Sequence, residues 1–285
     1  MSSPARVIKS LFWVSFACCA ACGSASAPIT VDDSPGSGVP GETATGGTNA
    51  TGGNAATGGT AAQITESTEI TETLLVDDAD DGDDVNTLSG KWISYDDRQE
   101  GGSSKVNPPS WIEGVPLTMD QPGYGASPYA VHLSGTTGSS LGYDYVGLVM
   151  ALGEHSYCPD PEPPATALAH YRGVRFQAKA NRKNGGSFSL IIAHRKDGSA
   201  DNCSNGIIGN TLTGWADYQL DLTSSISEDW SLVTVYFRRD LAQPNFGIVV
   251  SVEEVLSHAK DLVWQYQNGA GGEADLWIDN VELFK

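Results

Sequence analysis

The stretch "GVRFQAKA", residues 173–180, decides the fold class of this 285-residue chain. Its apolar residues Val174, Phe176 and Ala178 stand at every second position, with polar side chains between them. Successive side chains of an extended strand point to opposite faces of a sheet. The stretch therefore predicts a strand with one face buried and the other face in water.

The same alternation recurs in "LVWQYQ", residues 262–267, where Leu262, Trp264 and Tyr266 share one face. Many short apolar runs of this kind, separated by Gly, Pro, Asn and Asp, are typical of an antiparallel β-sandwich. We therefore expect an all-β sandwich over residues 73–285, with one short helix at residues 252–259. The predicted strands cover residues 74–76, 91–95, 129–133, 145–151, 173–180, 187–194, 218–222, 232–237, 262–267 and 275–284.

The N-terminus has the pattern of an export signal. Residues 1–21 combine basic Arg6 and Lys9 with a short apolar run, which is too short to span a bilayer as a mature helix. "CAAC", residues 19–22, resembles a bacterial lipobox, although lipoboxes normally carry Leu where Cys19 stands. We expect lipidation at Cys22, with ordinary cleavage after residues 25–27 as the alternative. Export to the cell envelope follows, and Gly23 favours the outer membrane.

Residues 22–72 read as a flexible, disordered tether rich in Gly and Thr. "TGGTNATGGNAATGG", residues 45–59, repeats Thr-Gly-Gly with a period of six but offers no apolar residue larger than Ala to bury. Stacking such repeats into a solenoid would therefore gain little, and we expect a spacer between a lipid anchor and the sandwich.

Charge and cysteine usage narrow the partners. The formal net charge is −19, and removing residues 1–21 leaves −21, so the acidic surface repels phosphate backbones and we expect no nucleic-acid binding. Cys158 and Cys203 remain in the folded part, and in an exported domain we expect them to form a disulfide. Zinc binding with His155 is the alternative.

Four segments in order resemble the galactose-binding-like jelly rolls, in particular carbohydrate-binding modules of the family-11 type. They are "VDDADDGDDVNTLSGKWISYDD" from residue 76, "YRGVRFQAKA" from 171, "DLTSSISEDWSLVTVYF" from 221 and "LWIDNVELF" from 276. The resemblance implies a β-sandwich whose concave face binds β-glucans or related polysaccharides, with a structural calcium near the termini. The first segment departs from the usual "DDFEDGD", because Ala79 and Asp80 replace a core Phe and a Glu.

The aspartate-rich stretch "LLVDDADDGDD", residues 74–84, is the candidate metal site. It fails as an EF-hand, since Ala79 and Leu88 occupy ligand positions three and twelve. If the first and last strands are neighbours, however, Asp80 and Asp279 with a main-chain carbonyl at Gly82 would supply oxygen ligands to a structural Ca²⁺. The alternative is a solvated acidic turn.

Sugar rings present C–H groups that stack on aromatic side chains, while amides and imidazoles bond their hydroxyls. The candidates are Trp92 or Tyr95, Tyr145, His194 and Gln265. Trp92 and Tyr95 stand three positions apart, so an unbent strand places them on opposite faces and one of them belongs to the core. His194 ends a predicted strand, where a contact at the rim is expected.

Catalytic patterns are absent or out of context. "GSSLG", residues 138–142, fits G-x-S-x-G, but it lies in a loop between β runs rather than in the strand-to-helix turn that a nucleophile elbow needs. The spacing of the acids selects no carboxylate pair for a glycosidase. We therefore expect a monomeric lipoprotein that binds a polysaccharide or oligosaccharide without catalysis. The alternatives are a structural or adhesion lipoprotein whose sandwich binds protein, and a polysaccharide-active enzyme.

Overall fold

The computed structural model describes residues 69–154, 167–194 and 216–285. The predicted signal peptide, the tether up to residue 68, Cys22 and the Cys158–Cys203 pair lie outside these residues. The described residues contain twelve strands, which are, in chain order, β1 (Thr73–Asp77), β2 (Trp92–Asp96), β3 (Lys105–Asn107), β4 (Met119–Asp120), β5 (Ala130–Thr137), β6 (Tyr145–Ala151), β7 (Gly173–Lys183), β8 (Ser187–His194), β9 (Gln219–Asp221), β10 (Ser231–Tyr236), β11 (Ala259–Gln267) and β12 (Gly272–Phe284).

The strands form two antiparallel sheets. One has seven strands in the order β10–β7–β12–β5–β3, with β1 beside β12 and β4 beside β5; the other has five in the order β2–β6–β11–β8–β9. From β5 to β8, and again from β9 to β12, consecutive strands alternate between the sheets, which is the jelly-roll arrangement. The predicted antiparallel jelly-roll sandwich is confirmed. All ten predicted strands are present, and only the short β3 and β4 were missed.

The core lies between the two sheets and follows the alternation of the sequence. Phe176 on β7 meets Trp264 on β11 edge to face, with ring centroids 5.3 Å apart, and Trp92 on β2 stacks on the same indole at 5.3 Å. Val174, like these three aromatic side chains, is almost fully buried. Burying such large rings contributes much of the hydrophobic stabilisation of a sandwich of this size.

In the described ranges, three short α-helices occupy connections: α1 (Ser110–Glu113), α2 (Phe237–Asp240) and α3 (Val252–Ser257). The hydroxyl of Ser251 accepts a hydrogen bond from the Glu254 backbone amide and so caps α3, which confirms the predicted helix. Among the described residues, no helix has the length and apolar character needed to cross a membrane.

Strand β12 joins the two ends of the domain. Its first half pairs with β5 and its last residues pair with β1, where Thr73 lies opposite Phe284. The register of β12 against β7 shifts between Asp279 and Glu282, and Asn280 takes a left-handed φ of 50° there. The predicted contact of the first and last strands is thus present, and the acidic turn after β1 lies beside this bulge.

Candidate functional site

The outward side of the five-stranded sheet carries most of the predicted sugar-binding residues. The even-numbered residues of these strands, such as Trp92, Leu148 and Trp264, point into the core. The odd-numbered residues therefore face outward. We call the half of this surface formed by Tyr95, Tyr145, Gly147, Gln265 and Gln267 the tyrosine face. Register pairs Tyr95 with Gly147 and Gly147 with Gln265, so these three form one row across three strands.

Tyr95 lies flat across the middle strand of this row. A Cβ added at Gly147 would stand 2.6 Å from Cζ and 2.7 Å from the hydroxyl oxygen of Tyr95, so the ring occupies the space that any other residue at 147 would fill. The Tyr95 hydroxyl reaches past β6 and donates a 2.7 Å hydrogen bond to Oε1 of Gln265. Gly147 therefore permits a ring that is held at both ends, a platform of the kind on which a sugar stacks.

Tyr145 extends the platform. Its ring centroid lies 5.6 Å from that of Tyr95, with the planes tilted by 50°. Burial raises the pKa of both phenols well above the ordinary value, and the charge of the nearby Glu100 carboxylate adds to the effect. Both tyrosines therefore stay neutral hydrogen-bonding groups throughout the physiological pH range. Glu100, in the turn that follows β2, was not predicted from the sequence.

Two amides complete the tyrosine face. Because Oε1 of Gln265 accepts from Tyr95, its Nε2 group is turned away and has no hydrogen-bond partner in the described part of the chain. Gln267, two residues further along the same strand, donates from Nε2 to the Tyr143 carbonyl at 3.2 Å. Sequence reasoning missed Gln267, although alternation from Gln265 places both on one face.

Two predicted sugar contacts are wrong. Trp92 is 1% exposed, and its Nε1 donates a 2.7 Å hydrogen bond to Asp77 in the interior, so it is the core member of the Trp92–Tyr95 pair. His194 is fully buried rather than at the rim. It lies on the same side of β8 as Leu190 and Ile192, which point into the core. Its Nδ1 lies 3.5 Å from a carboxylate oxygen of Asp217.

An apolar cluster lies next to the tyrosine face on this outward side. Val149, Ala193 and Val263 form a cluster separate from the main core, with Ile93 and Ile191 packed against it. All three are less than 7% exposed, so this part of the sheet offers no open surface. A ligand approaching the sheet would therefore reach the tyrosine face and not the apolar cluster.

The predicted metal ligands come close together at the β12 bulge. Ser127 donates a 2.7 Å hydrogen bond to Oδ1 of Asp80 and also contacts the Asp279 carboxylate. The backbone amide of Tyr124 donates to Oδ2 of Asp279 at 2.6 Å. Gly82 adopts a left-handed φ of 75° in the same turn. Asp80 and Asp279 are thus brought together, as the sequence predicts.

Asp279 has a buried carboxylate oxygen that could bind a cation. Its side chain is buried, and Oδ1 has no hydrogen-bond partner among the described residues. Burial raises the pKa of this carboxyl, and the charge of Asp80 raises it further. A hard cation would satisfy the orphaned oxygen, and carboxylate and carbonyl oxygens are the ligands that Ca²⁺ prefers. Within the described ranges, however, no group of three or more His, Cys, Asp or Glu side chains is placed to hold a metal.

Comparison with known proteins gives similarity at the level of structure only. No family model matches the chain, and no curated protein matches it. Among solved structures, the chain is similar to the family 11 carbohydrate-binding module of the cellulosomal cellulase Lic26A-Cel5E of Clostridium thermocellum, at 18% identity and TM-score 0.40, covering 75% of this chain and 95% of that one.

Two further structures are similar. One is a family 30 carbohydrate-binding module of the Clostridium thermocellum cellulase Cel9D-Cel44B (14% identity, TM-score 0.38, 64% and 90% coverage). The other is the TmCBM61 module in complex with β-1,4-galactotriose (12%, 0.30, 74% and 97%). Identities and TM-scores this low show no family membership.

Proposed function

We propose that the sandwich is a non-catalytic binding module for an uncharged glycan, and that the tyrosine face is its binding site. The observation that carries the proposal is the Tyr95 ring, held flat over Gly147 and hydrogen-bonded to Gln265. A flat ring with a tilted neighbour, Tyr145, suits the C–H faces of consecutive sugar units. The free Nε2 of Gln265 is a donor for a sugar hydroxyl beside them.

The charges around the face favour an uncharged ligand. The carboxylates of Glu100 and Asp217 are close enough to act on the tyrosine hydroxyls. The rows of paired residues across the face contain no Lys or Arg: they are Tyr95–Gly147–Gln265–Ser189–Asp221 and Tyr145–Gln267–Ser187. In these described rows a uronate polymer would meet like charge and no basic side chain. Neutral glucans, xylans, mannans and galactans therefore fit better than polyuronates.

We further propose that the chain is an exported lipoprotein, anchored through Cys22 and displaying the sandwich on its Gly/Thr-rich tether. The lipobox-like "CAAC" and the repeat composition support this. A structural Ca²⁺ held by Asp80 and Asp279, with the Gly82 carbonyl, would supply charge neutralisation at the β12 bulge. It would thereby fix the turn after β1 against the last strand.

Affinity electrophoresis through gels containing β-glucan, xylan, mannan or polygalacturonate tests the proposed function. We expect retardation by at least one neutral polymer and none by polygalacturonate. The Tyr95→Ala/Gln265→Ala variant should lose the retardation. The matched control, Tyr236→Ala/Gln177→Ala on the other sheet, should keep it. If no neutral polymer retards the wild-type protein, the proposal fails.

A further inference from the structure

A depression lies on the opposite side of the sandwich. Strands β3, β5 and β12 line a shallow, open depression of about 400 Å³ on the outward side of the seven-stranded sheet. We call it the β3–β5–β12 depression. Cavities of this size are in the range of small-ligand sites and accommodate one or two sugar rings. Its polar side chains come from three segments far apart in sequence: Lys105, Asn107, Ser134, Thr136, Glu273 and Asp275.

Most of these polar side chains make no hydrogen bond to other described residues. The side chains of Lys105, Asn107, Ser134 and Thr136 make no hydrogen bond within the described part of the chain, and all four face one depression. Register explains the convergence, since Lys105 pairs with Thr136 and Asn107 with Ser134 on the neighbouring strand. An ammonium group, an amide and two hydroxyls offer donors and acceptors in the mixture that a polyhydroxylated molecule needs.

The two carboxylates are held in place by partners at the edge of the depression. Glu273 pairs with Lys183 through one oxygen, 2.6 Å from Nζ, and Asp275 lies 3.3 Å from Nε2 of His132. Each carboxylate has a second oxygen left to accept from a ligand. The formal charges of Lys105 and Lys183 balance those of Glu273 and Asp275. A neutral ligand therefore matches the site better than an ion of either sign.

The aromatic ring next to the depression is not a stacking platform. Trp277 stacks on His132 at 4.3 Å with nearly parallel planes, and Lys179 lies 4.7 Å from its centroid. Because β12 lies between β5 and β7, these two neighbours cover opposite faces of the indole. Its Nε1 donates to Asp120 at 3.2 Å. Recognition in the depression must therefore rest on hydrogen bonds alone, unlike recognition at the tyrosine face.

We propose that the β3–β5–β12 depression is a second saccharide site, which takes one or two neutral sugar units by hydrogen bonding. It does not share a residue with the tyrosine face, and the two sites lie on opposite sheets. One molecule can therefore hold two glycan chains, or two parts of a branched one. Such bivalency strengthens attachment to an insoluble polymer even where each site is weak.

The test is a ¹⁵N-resolved NMR titration of the full chain with four probes: a β-1,3-1,4-glucan tetrasaccharide, xylotetraose, mannotetraose and β-1,4-galactotriose. We expect at least one probe to shift amide signals around Ser134 and Asp275, with affinity in the millimolar range. The Ser134→Ala/Thr136→Val variant, which removes hydroxyls with little change of shape, should weaken that response about tenfold. The control Thr234→Ala, on the same outward side but outside the depression, should leave it unchanged.

The outcomes separate the two sites. Shifts confined to the tyrosine face, or a Ser134→Ala/Thr136→Val variant that responds like the wild type, would overturn the second site and leave the proposed function intact. Shifts confined to the depression would overturn the tyrosine face and keep the second site. A protein whose spectrum responds to none of the four probes would overturn both.

Discussion

Replacing Gly147 by Ala tests the platform without touching an aromatic or polar side chain. The added methyl would stand 2.6 Å from Cζ of Tyr95, far inside van der Waals contact, so the ring must lift off strand β6. Lifting the ring breaks the 2.7 Å hydrogen bond between Tyr95 and Gln265. The variant thus keeps every ligand-contacting group but loses their arrangement.

The size of the effect follows from these contacts. Loss of the hydrogen bond costs about 1 kcal/mol of stability, and partial exposure of the ring costs about as much again. For glycan binding, a misaligned stacking ring costs about 1.4 kcal/mol, which is about a tenfold loss of affinity. Alanine itself is tolerated in an extended strand, so we expect the domain to fold.

Calorimetry with the glycan that the wild-type protein binds gives the affinity of Gly147→Ala. A double-mutant cycle supplies the control, because in a Tyr95→Ala background the methyl meets no ring and should change affinity by less than twofold. A readout independent of glycan is the ultraviolet titration of phenols, in which the raised pKa of Tyr95 should fall towards the ordinary value in Gly147→Ala. Wild-type affinity in Gly147→Ala, or purely additive effects in the cycle, would refute the reasoning.

Three further predictions concern the core and the metal site. Burial raises the pKa of Asp77 to about 6, so its ionisation opposes folding: stability from this group is greatest below pH 4 and falls, by up to about 3 kcal/mol, as pH rises through 6. Thermal unfolding from pH 4 to 7.5 should show a flatter profile for Asp77→Asn, and an unchanged slope would contradict this. Trp92→Phe removes the indole donor to Asp77 and should destabilise the fold by about 1–3 kcal/mol without altering glycan affinity. A loss of affinity without a loss of stability would show that Trp92 contacts the glycan. If Ca²⁺ binds at Asp80 and Asp279, calcium at 100 times its Kd should add about 2.7 kcal/mol of stability, and Asp279→Asn should abolish the response to calcium and to chelator in calorimetric scans. If chelator does not change the melting temperature of the wild-type protein, residues 74–84 form an acidic turn without a bound ion.

Alternation in the sequence was sufficient for most of the fold. Runs such as residues 173–180 and 262–267 place every second side chain in the core, and the structure buries Val174, Phe176 and Trp264 as predicted. The missed strands, β3 and β4, have three and two residues. Strands so short carry no measurable period, and they exist because the long β5 offers them hydrogen bonds.

The candidate site was predicted less completely. Alternation correctly limited the choice to one of Trp92 and Tyr95, but which of the two faces the core depends on partners from other strands. The burial of His194 could have been predicted, because alternation puts it on the same side of its strand as Leu190 and Ile192. The role of Gly147 could not have been predicted. The missing side chain matters only because the Tyr95 ring, from a neighbouring strand, fills the space it leaves.

Contacts between distant segments account for the rest. The approach of Asp80 to Asp279 was predictable once the terminal strands were taken as neighbours, but Tyr124 and Ser127, which hold the two carboxylates, come from an irregular segment without periodicity. The β3–β5–β12 depression likewise combines three segments more than twenty residues apart. Such convergence follows from strand order, which the local pattern does not encode.

The most direct test of the central claim is titration calorimetry of three proteins with one neutral oligosaccharide: the wild type, Tyr95→Ala/Gln265→Ala and Tyr236→Ala/Gln177→Ala. The two double variants remove the same side-chain types from opposite sheets. If the tyrosine face is the principal glycan site, only the first variant loses affinity, by about a hundredfold for the stacking ring and the amide together. Equal affinity in all three proteins would contradict the assignment of the tyrosine face as a binding site.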